Sequence, residues 1–268
     1  LTGVEDVLKK ENPDVVLVEG DTNTVLAAAL AAVKLHIRVG HVEAGLRSYD
    51  RSMPEEINRI LTDHASDFLF APTGNAREIL LDEGIPEGRI YVTGNTIVDA
   101  VNENLEIAAR KDISDYIPAV NRGEYFLVTI HRQENVDNRE RFSSILKGVG
   151  QVAREFDMPV IYPVHPRARK NMTGFGLSTE GITLVEPLDF LEFLRLESNA
   201  RLVLTDSGGV QEETCILGVP CVTIRDNTER PETVTAGSNV IAGYSADSIV
   251  NCTRIMMGLP SGWLNPFG

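Results

Sequence analysis

The sequence predicts an α/β protein with two parallel sheets, each covered by helices on both faces. Short β-branched runs alternate with amphipathic helical stretches along the chain, and repeated strand–helix–strand units imply parallel sheets. About ten strands can be counted, which suits two sheets better than one. The 268 residues are enough for two ordinary domains. A hydrophobic content of 43% is typical of a protein that buries a core.

The first domain is predicted over residues 1–95. Its predicted strands are Asp14–Val18, Ile37–Val42, Phe68–Ala71 and Ile90–Val92. Helices are predicted at the start of the chain, over Thr24–Leu35, over Pro54–Ala65 and up to Gly84. Pro54 fits the first turn of its helix, because the N–H that proline lacks has no helical partner there.

The second domain is predicted over residues 96–268, with a cleft between it and the first. It begins with a long helix, Ile97–Arg110, and a loop that contains Pro118 and Gly123. Its predicted strands are Tyr125–Ile130, Val160–Pro163, Thr183–Val185, Leu202–Thr205, Cys221–Ile224 and Val240–Ala242.

Charge and apolar runs exclude several classes of function. A net charge of -14 argues against a nucleic-acid binder and against docking on an anionic membrane. An anionic substrate stays compatible, since a few Arg, His and N–H groups can bind phosphate inside an acidic protein. The longest apolar run, Val25–Val33, is far shorter than the ~20 residues of a membrane span. No signal peptide is recognisable, and three cysteines without a CxxC pair favour a reducing, cytoplasmic location.

Three acids of the first domain follow predicted strands or begin the helix after one. Ligands of parallel α/β sheets bind outside the carboxyl ends of the strands, so Asp21, Glu43 and Glu55 should point to the same edge. Carboxylates that converge in a cleft shift one another's pKa, which gives a site both an acid and a base near neutral pH. We therefore expect proton-transfer chemistry at this edge.

Each of these acids also has a structural interpretation. Asp21 or Thr22 could cap the following helix. Glu43 ends a buried strand and needs a partner, for which Arg47 and Arg51 are available. The third acid lies in a first helical turn, where negative charge favours the helix dipole.

The second domain contains a candidate phosphate site. A predicted strand runs into Ser207, Gly208 and Gly209, and a helix begins there. Glycines let a ligand approach the backbone closely, and a helix N-terminus offers unpaired N–H groups. The alternative is a tight turn capped by Ser207.

Other polar residues of this domain also follow strands. His131, Arg132 and His165 could meet a phosphate, and the polar loop Arg225–Glu232 follows another strand. No GxGxxG, P-loop, Asp-x-Asp or zinc-ligand spacing is present. We therefore expect no metal and no nicotinamide cofactor.

Taken in order, several stretches resemble the non-hydrolysing UDP-N-acetylglucosamine 2-epimerase family, and they span nearly the whole chain. The matching stretches are Gly20–Thr24, His41–Ser48, Met53–Arg59, Thr73, Gly94–Thr96, His131–Arg132, Asp206–Glu213 and Arg225–Glu232.

The resemblance implies a GT-B-like fold of two Rossmann-like domains with the active site in the cleft, a homodimer and no cofactor. It implies reversible 2-epimerisation of UDP-N-acetylglucosamine to UDP-N-acetylmannosamine. UDP is eliminated across carbons 1 and 2 of the sugar, and a 2-acetamidoglucal stays bound. UDP then adds back while carbon 2 is protonated on its other face.

The resemblance also implies roles for single residues. Asp21, Glu43 and Glu55 handle the proton on carbon 2, with their individual roles left open, and His131 helps UDP to leave. The UDP-binding residues by this resemblance are Ser207, Gly208 and Gly209 for phosphate, Glu213 for ribose, Phe193 and the backbone near Leu188 for uracil, and Arg230. Arg132 and His165 are candidates for a second, activating substrate site.

The sequence departs from the family at its ends. The Gly-Thr-Arg-Pro-Glu loop and the closing helix of the family are absent, so we expect a truncated form of a normal epimerase. Three alternatives stay open: a 2-epimerase of a related UDP-diacetamido sugar, a hydrolysing epimerase and an inactive UDP-sugar binding protein. A GT-B glycosyltransferase shares the fold, but the three first-domain carboxylates argue against it.

Overall fold

The protein is an α/β structure in two compact units, each built on its own parallel sheet. The computed structural model describes residues 1–112, 122–259 and 262–268. Unit 1 comprises Leu1–Thr96 with Phe267–Gly268, and unit 2 comprises Ile97–Pro266. The predicted class, two Rossmann-like parallel-sheet domains of the GT-B-like type, is confirmed. Pro118 of the predicted loop lies outside the described residues.

The sheet of unit 1 has four parallel strands in sequential order. They are β1 (Val15–Glu19), β2 (Arg38–Val42), β3 (Phe68–Ala71) and β4 (Ile90–Val92). The accompanying helices are α1 (Thr2–Glu11), α2 (Asn23–Lys34), α3 (Pro54–Ala65) and α4 (Gly74–Asp82). Ala29 and Ala32 of α2 are fully buried against β1 and β2, because their small side chains let the helix approach the sheet.

The sheet of unit 2 has six parallel strands in the order β10-β9-β8-β5-β6-β7. The strands are β5 (Phe126–Thr129), β6 (Val160–Pro163), β7 (Ile182–Val185), β8 (Leu202–Thr205), β9 (Cys221–Thr223) and β10 (Asn239–Ile241). The helices, from the boundary onward, are α5 (Thr96–Ala108), α6 (Gln133–Val136), α7 (Arg139–Phe156), α8 (Pro166–Phe175), α9 (Phe190–Glu197), α10 (Gly208–Leu217), α11 (Pro231–Thr235) and α12 (Ala246–Gly258).

This strand order is that of a doubly wound sheet. The chain adds β6 and β7 on one side of β5 and β8, β9 and β10 on the other, so the switch point lies between β5 and β8. Ligands of open α/β sheets bind outside the carboxyl ends of the strands at such a switch point. Thr129 at the end of β5 is paired with Thr205 at the end of β8, so the two strands end level. The loops after β5 and β8 therefore start side by side.

The ten predicted strands are found in the described residues, each within one residue of its predicted bounds. The helices predicted with both bounds agree within two residues. One difference concerns the C-terminus, because Phe267–Gly268 belong to unit 1 and not to the second unit. The Asn95 N–H donates to the Phe267 carbonyl at 3.1 Å, and the Phe267 side chain is buried. None of the helices in the described ranges combines the length and apolar character that crossing a bilayer demands.

Candidate active site

Asp21 lies in the turn between β1 and α2. Thr22, not Asp21, caps α2, since its hydroxyl accepts the Val25 N–H at 3.3 Å. The Asp21 carboxylate forms an ion pair with Arg59 of α3 at 2.5 Å, and its side chain is 34% exposed. The turn is also held by Asn58, whose amide donates to the Asp21 carbonyl at 2.9 Å. Asp21 therefore presents a carboxylate at the strand edge that is oriented from α3.

Glu43 directly follows β2 and lies beside the same turn. Its φ of +68° is in the left-handed region, which is uncommon for a residue with a side chain and occurs often at functional sites. A Cβ placed on Gly20 would lie 3.7 Å from Glu43 Oε2. The Gly20 N–H donates to the Val42 carbonyl at 3.2 Å, so the two turns are joined. Glu43 and Asp21 therefore share one edge of the sheet.

Glu55 lies in the first turn of α3 and is half-buried. Residues three and four positions apart share a helix face, so Glu55 lies one turn before Asn58 and Arg59, the residues that hold Asp21. Its neighbour Glu56 is different, because it is buried and structural. Glu56 accepts the Ser48 N–H and hydroxyl, both at 2.9 Å, and so fixes the loop after β2.

A buried network of charged side chains, which the sequence did not predict, holds the loops at this edge in place. His41 of β2 contacts Asp63 of α3 through Nδ1 at 2.6 Å, and its Nε2 is 2.9 Å from the Gly20 carbonyl, which only accepts. Asp63 also binds Arg47 at 2.7 Å, and Arg47 reaches Glu83 at 2.7 Å. Burial disfavours charge on His41, but the hydrogen bonds to Asp63 and Gly20 outweigh it, so the pKa of His41 is raised. An imidazolium thus orients the carbonyl that precedes Asp21.

Asp206, at the end of β8, organises the loops at the switch point of unit 2. Its fully buried carboxylate accepts the backbone N–H groups of His131 and Arg132 at 3.1 and 3.0 Å and the Asn135 amide at 3.0 Å. His131 Nδ1 is 3.1 Å from the same carboxylate, while its side chain stays 46% exposed.

These contacts perturb both members of the His131–Asp206 pair. Burial alone would raise the pKa of Asp206, but the hydrogen bonds from His131 and its other partners lower it below the ordinary value. The hydrogen bond to Asp206 raises the pKa of His131 above its ordinary value. The contact with Asp206 therefore favours the protonated form of His131 at the strand edge.

The N-terminus of α10 follows Asp206 directly. The Ser207 hydroxyl caps the helix by accepting the Val210 N–H at 3.5 Å. A Cβ on Gly208 would lie 2.6 Å from the buried Glu229 carboxylate, whereas a Cβ on Gly209 would meet nothing within 4 Å. Gly208 therefore permits close packing inside the protein, and Gly209 leaves the backbone open on its outer side. The capped turn and the open N-terminus coexist, because Ser207 uses only one N–H group.

Arginines surround this N-terminus and are held by buried acids. Glu229 forms ion pairs with Arg225 at 2.7 Å and with Arg132 at 3.1 Å. Arg230 forms an ion pair with Glu212 of α10 at 2.6 Å. Arg225, Glu229 and Arg230 of the predicted polar loop are thus buried in unit 2.

A family model and highly similar relatives point to one family. The family model described as UDP-N-acetylglucosamine 2-epimerase matches residues 1–268. The chain belongs to this family. A UDP-N-acetylglucosamine 2-epimerase from Methanocaldococcus jannaschii is 54% identical, with 100% of this chain and 75% of the relative covered.

Solved structures of epimerases superpose closely on this chain. The M. jannaschii UDP-GlcNAc 2-epimerase in complex with UDP-GlcNAc and UDP matches with a TM-score of 0.94 at 53% identity, covering 100% of this chain and 75% of that one. The Neisseria meningitidis UDP-GlcNAc 2-epimerase bound to UDP-GlcNAc matches with a TM-score of 0.90 at 36% identity, covering 100% and 76%.

In this epimerase, α9 and α10 carry the residues expected to bind the nucleoside. Leu188 and Phe193 are partly buried against the apolar cluster that includes Val210 of α10. Glu213, on α10, is half-buried, and burial raises its pKa above the ordinary value. Leu188, just before α9, and Phe193, on α9, thus pack against the same apolar cluster as α10, the helix that carries Glu213.

The two residues assigned to an activating site of the epimerase have structural contacts. His165 is exposed and caps α8, where its Nδ1 accepts the Arg167 N–H at 3.2 Å. Arg132 Nε donates to the Asp206 carbonyl at 3.1 Å. Their role in activation stays a prediction. The described residues hold no group of three or more His, Cys, Asp or Glu side chains arranged for a metal ion.

Proposed function

We propose that this chain catalyses the reversible 2-epimerisation of UDP-N-acetylglucosamine to UDP-N-acetylmannosamine. The observation that carries the proposal is that, in a chain of the epimerase family, one unit supplies carboxylates for proton transfer and the other supplies groups that bind phosphate. In unit 1, Asp21 and Glu43 lie at one strand edge, and Arg59 of α3, one turn after Glu55, contacts Asp21. Unit 2 offers a histidine with a raised pKa beside an open helix N-terminus.

The second unit supplies what a nucleoside diphosphate needs. The first-turn N–H groups of α10 and the helix dipole attract phosphate, and Gly209 lets it approach. Glu213, one turn later on the same face, can accept from ribose hydroxyls, and Phe193 offers an aromatic surface for uracil. The proposed contacts thus run from Gly209 for phosphate to Glu213 for ribose on α10, and then to Phe193 for the base on α9.

The chemistry must invert carbon 2 of the sugar, whose C–H bond is not acidic. Elimination solves this problem: a base removes the carbon-2 proton, the electrons of that C–H bond form a double bond between carbons 1 and 2, and the electrons of the carbon 1–oxygen bond leave with UDP. A 2-acetamidoglucal results. In the reverse step an acid protonates carbon 2 on the opposite face, and a UDP oxygen adds back to carbon 1. Proton transfer and leaving-group stabilisation suffice, so the proposal needs neither metal nor nicotinamide.

The residues fit these two tasks. Base and acid are required on opposite faces of carbon 2, and Asp21, Glu43 and Glu55 offer carboxyl groups from three separate elements. The elimination builds negative charge on the diphosphate, and the charged ring of His131 stabilises it at the strand edge. Asp206 holds that ring in place and favours its protonated form. We expect the enzyme to act as a homodimer in the cytoplasm. Three free cysteines, two of them buried, agree with a reducing compartment.

The reaction can be tested in both directions by proton NMR. Starting from either nucleotide sugar, the protein should reach the same mixture of the two. Glu55→Gln should bind UDP normally and lose turnover, because one of the three carboxyl groups proposed to exchange the carbon-2 proton is gone. Its neighbour supplies the matched control: Glu56→Gln should lower stability instead, since Glu56 accepts from Ser48 and Arg59. An unchanged sugar in the presence of tight UDP binding would refute the proposal.

A further inference from the structure

A second carboxyl group lies behind the expected ribose residue. Glu197 ends α9 and is completely buried, with 0% of its surface exposed. Neither of its carboxyl oxygens meets a hydrogen-bond donor among the described residues. Its side chain lies within side-chain hydrogen-bonding reach of Glu213 on α10, although neither carboxyl group carries a donor unless one of them is protonated. Two acids from different helices therefore touch in the interior of unit 2.

Such a contact requires a proton. Two carboxylates in contact repel each other strongly in a medium of low dielectric, and a carboxylate without a proton offers no donor. Glu197 has lost all solvent, whereas Glu213 is only half-buried, so the proton belongs on Glu197. Burial, followed by the charge of Glu213, raises the pKa of Glu197 well above its ordinary value.

The described surroundings of the pair supply no compensating cation. The Cys221 thiol of β9 also interacts electrostatically with Glu197. Burial raises the pKa of this thiol to about 12, so it is neutral at neutral pH. Among the described residues no basic side chain perturbs Glu197. The hydroxyl of Tyr125 is occupied, because it donates to the Leu196 carbonyl at 2.5 Å.

We propose that Glu197 is a neutral carboxylic acid that donates a hydrogen bond to Glu213 and thereby positions the Glu213 carboxylate for the ribose hydroxyls of UDP. This inference rests on the proposed function. It makes Glu197 a positioning residue, since it acts on the ligand through Glu213. Helical spacing places Phe193 one turn from Glu197 on α9, and Gly209 one turn from Glu213 on α10. The acid pair thus links the helix that offers the aromatic surface to the helix that offers the phosphate site.

The first experiment measures UDP binding by titration calorimetry for two variants. Glu197→Gln keeps a neutral donor of the same shape, so its Kd for UDP should stay within about threefold of the wild type. Glu197→Leu fills the space but cannot donate, so its Kd should rise about tenfold, the size expected for one hydrogen bond to a charged group. In turnover, the same change should raise KM and leave kcat nearly unaltered.

A ribose-modified ligand separates positioning from packing. With 2′,3′-dideoxy-UDP, which lacks the hydroxyls that Glu213 would bind, Glu197→Leu and wild type should differ by less than about twofold. Equal losses for UDP and the dideoxy analogue, or equal losses for Glu197→Gln and Glu197→Leu, would overturn the positioning role.

The protonation state can be read without any nucleotide. Carbon-13 NMR of protein labelled at the glutamate carboxyl carbons should show a protonated carboxyl resonance at neutral pH that disappears in Glu197→Gln. A resonance at the carboxylate position would refute the inference, even if Glu197→Leu failed to fold. Failure of UDP to bind the wild type would instead count against the proposed function, so the two failures are distinguishable.

Discussion

Replacement of Asp206 by Asn should weaken both the fold of unit 2 and the charge of His131. The carboxylate accepts from the backbone of His131 and Arg132, from the Asn135 amide and from the His131 ring, all within 3.1 Å. An Asn oxygen can accept about two of these, and its own amide adds a competing donor. About two of the four donors then lose their partner, at about 1–3 kcal/mol each, so we expect a total loss of about 3 kcal/mol.

Thermal unfolding checks this magnitude. For a unit of this size, 3 kcal/mol corresponds to a fall in Tm of about 6–12 °C. The His131 ring should titrate at a lower pH in Asp206→Asn than in the wild type, because its main partner has lost its charge; proton NMR of the ring measures this. Glu155→Gln is a matched control, since Glu155 pairs with Arg254 at the surface and should leave Tm unchanged. An unaltered Tm together with an unaltered His131 titration would refute the assigned role of Asp206.

Three further predictions concern the edge of unit 1 and the glycines of unit 2. Asp63→Asn should lower the free energy of unfolding by about 3–5 kcal/mol in urea, because it removes the buried carboxylate partner of His41 and one of the two carboxylate partners of Arg47. In the folded protein the pKa of His41 is raised above 6.5, so its contribution to the free energy of unfolding is complete below pH 6.5 and is lost as the pH rises through the raised pKa. In Asp63→Asn the urea midpoint should no longer fall with pH over this range. Gly209→Ala should keep its Tm but bind UDP about tenfold more weakly (~1.4 kcal/mol), because the added methyl group meets no protein atom but occupies the outer side of the backbone. Gly208→Ala should lose stability, because its methyl group would collide with Glu229. Calorimetry and thermal unfolding would contradict this if both variants behaved alike.

The elements of the fold were predictable because their signals are local. Buried strands such as Leu202–Thr205 are short apolar runs bounded by polar turn residues, and Pro54 marks a helix start. Local rules failed to choose between Asp21 and Thr22 as a cap, since both side chains can accept a first-turn N–H. The choice depends on Arg59, which is distant in sequence and draws the Asp21 carboxylate away from the helix.

The supporting charges were harder to predict because their partners are remote in sequence. Asp63 meets His41 across 22 positions, and Asp206 meets His131 across 75. One signal was available: His41 lies in an apolar strand that is followed by Glu43. A buried imidazole needs hydrogen-bond partners, so this position indicated a buried polar network. Glu197 gave no such signal, because a glutamate at a helix C-terminus normally faces water. Only the packing of α9 on α10 shows that this one does not.

The central claim, that carbon 2 loses and regains its proton during elimination and re-addition of UDP, is tested most directly in heavy water. UDP-N-acetylglucosamine is incubated with the protein in deuterium oxide, and the carbon-2 proton is followed by NMR in both nucleotide sugars. The account predicts that this proton signal disappears from product and recovered substrate alike, and that Glu55→Gln prevents the loss. UDP-N-acetylmannosamine that forms with its original carbon-2 proton would contradict the account.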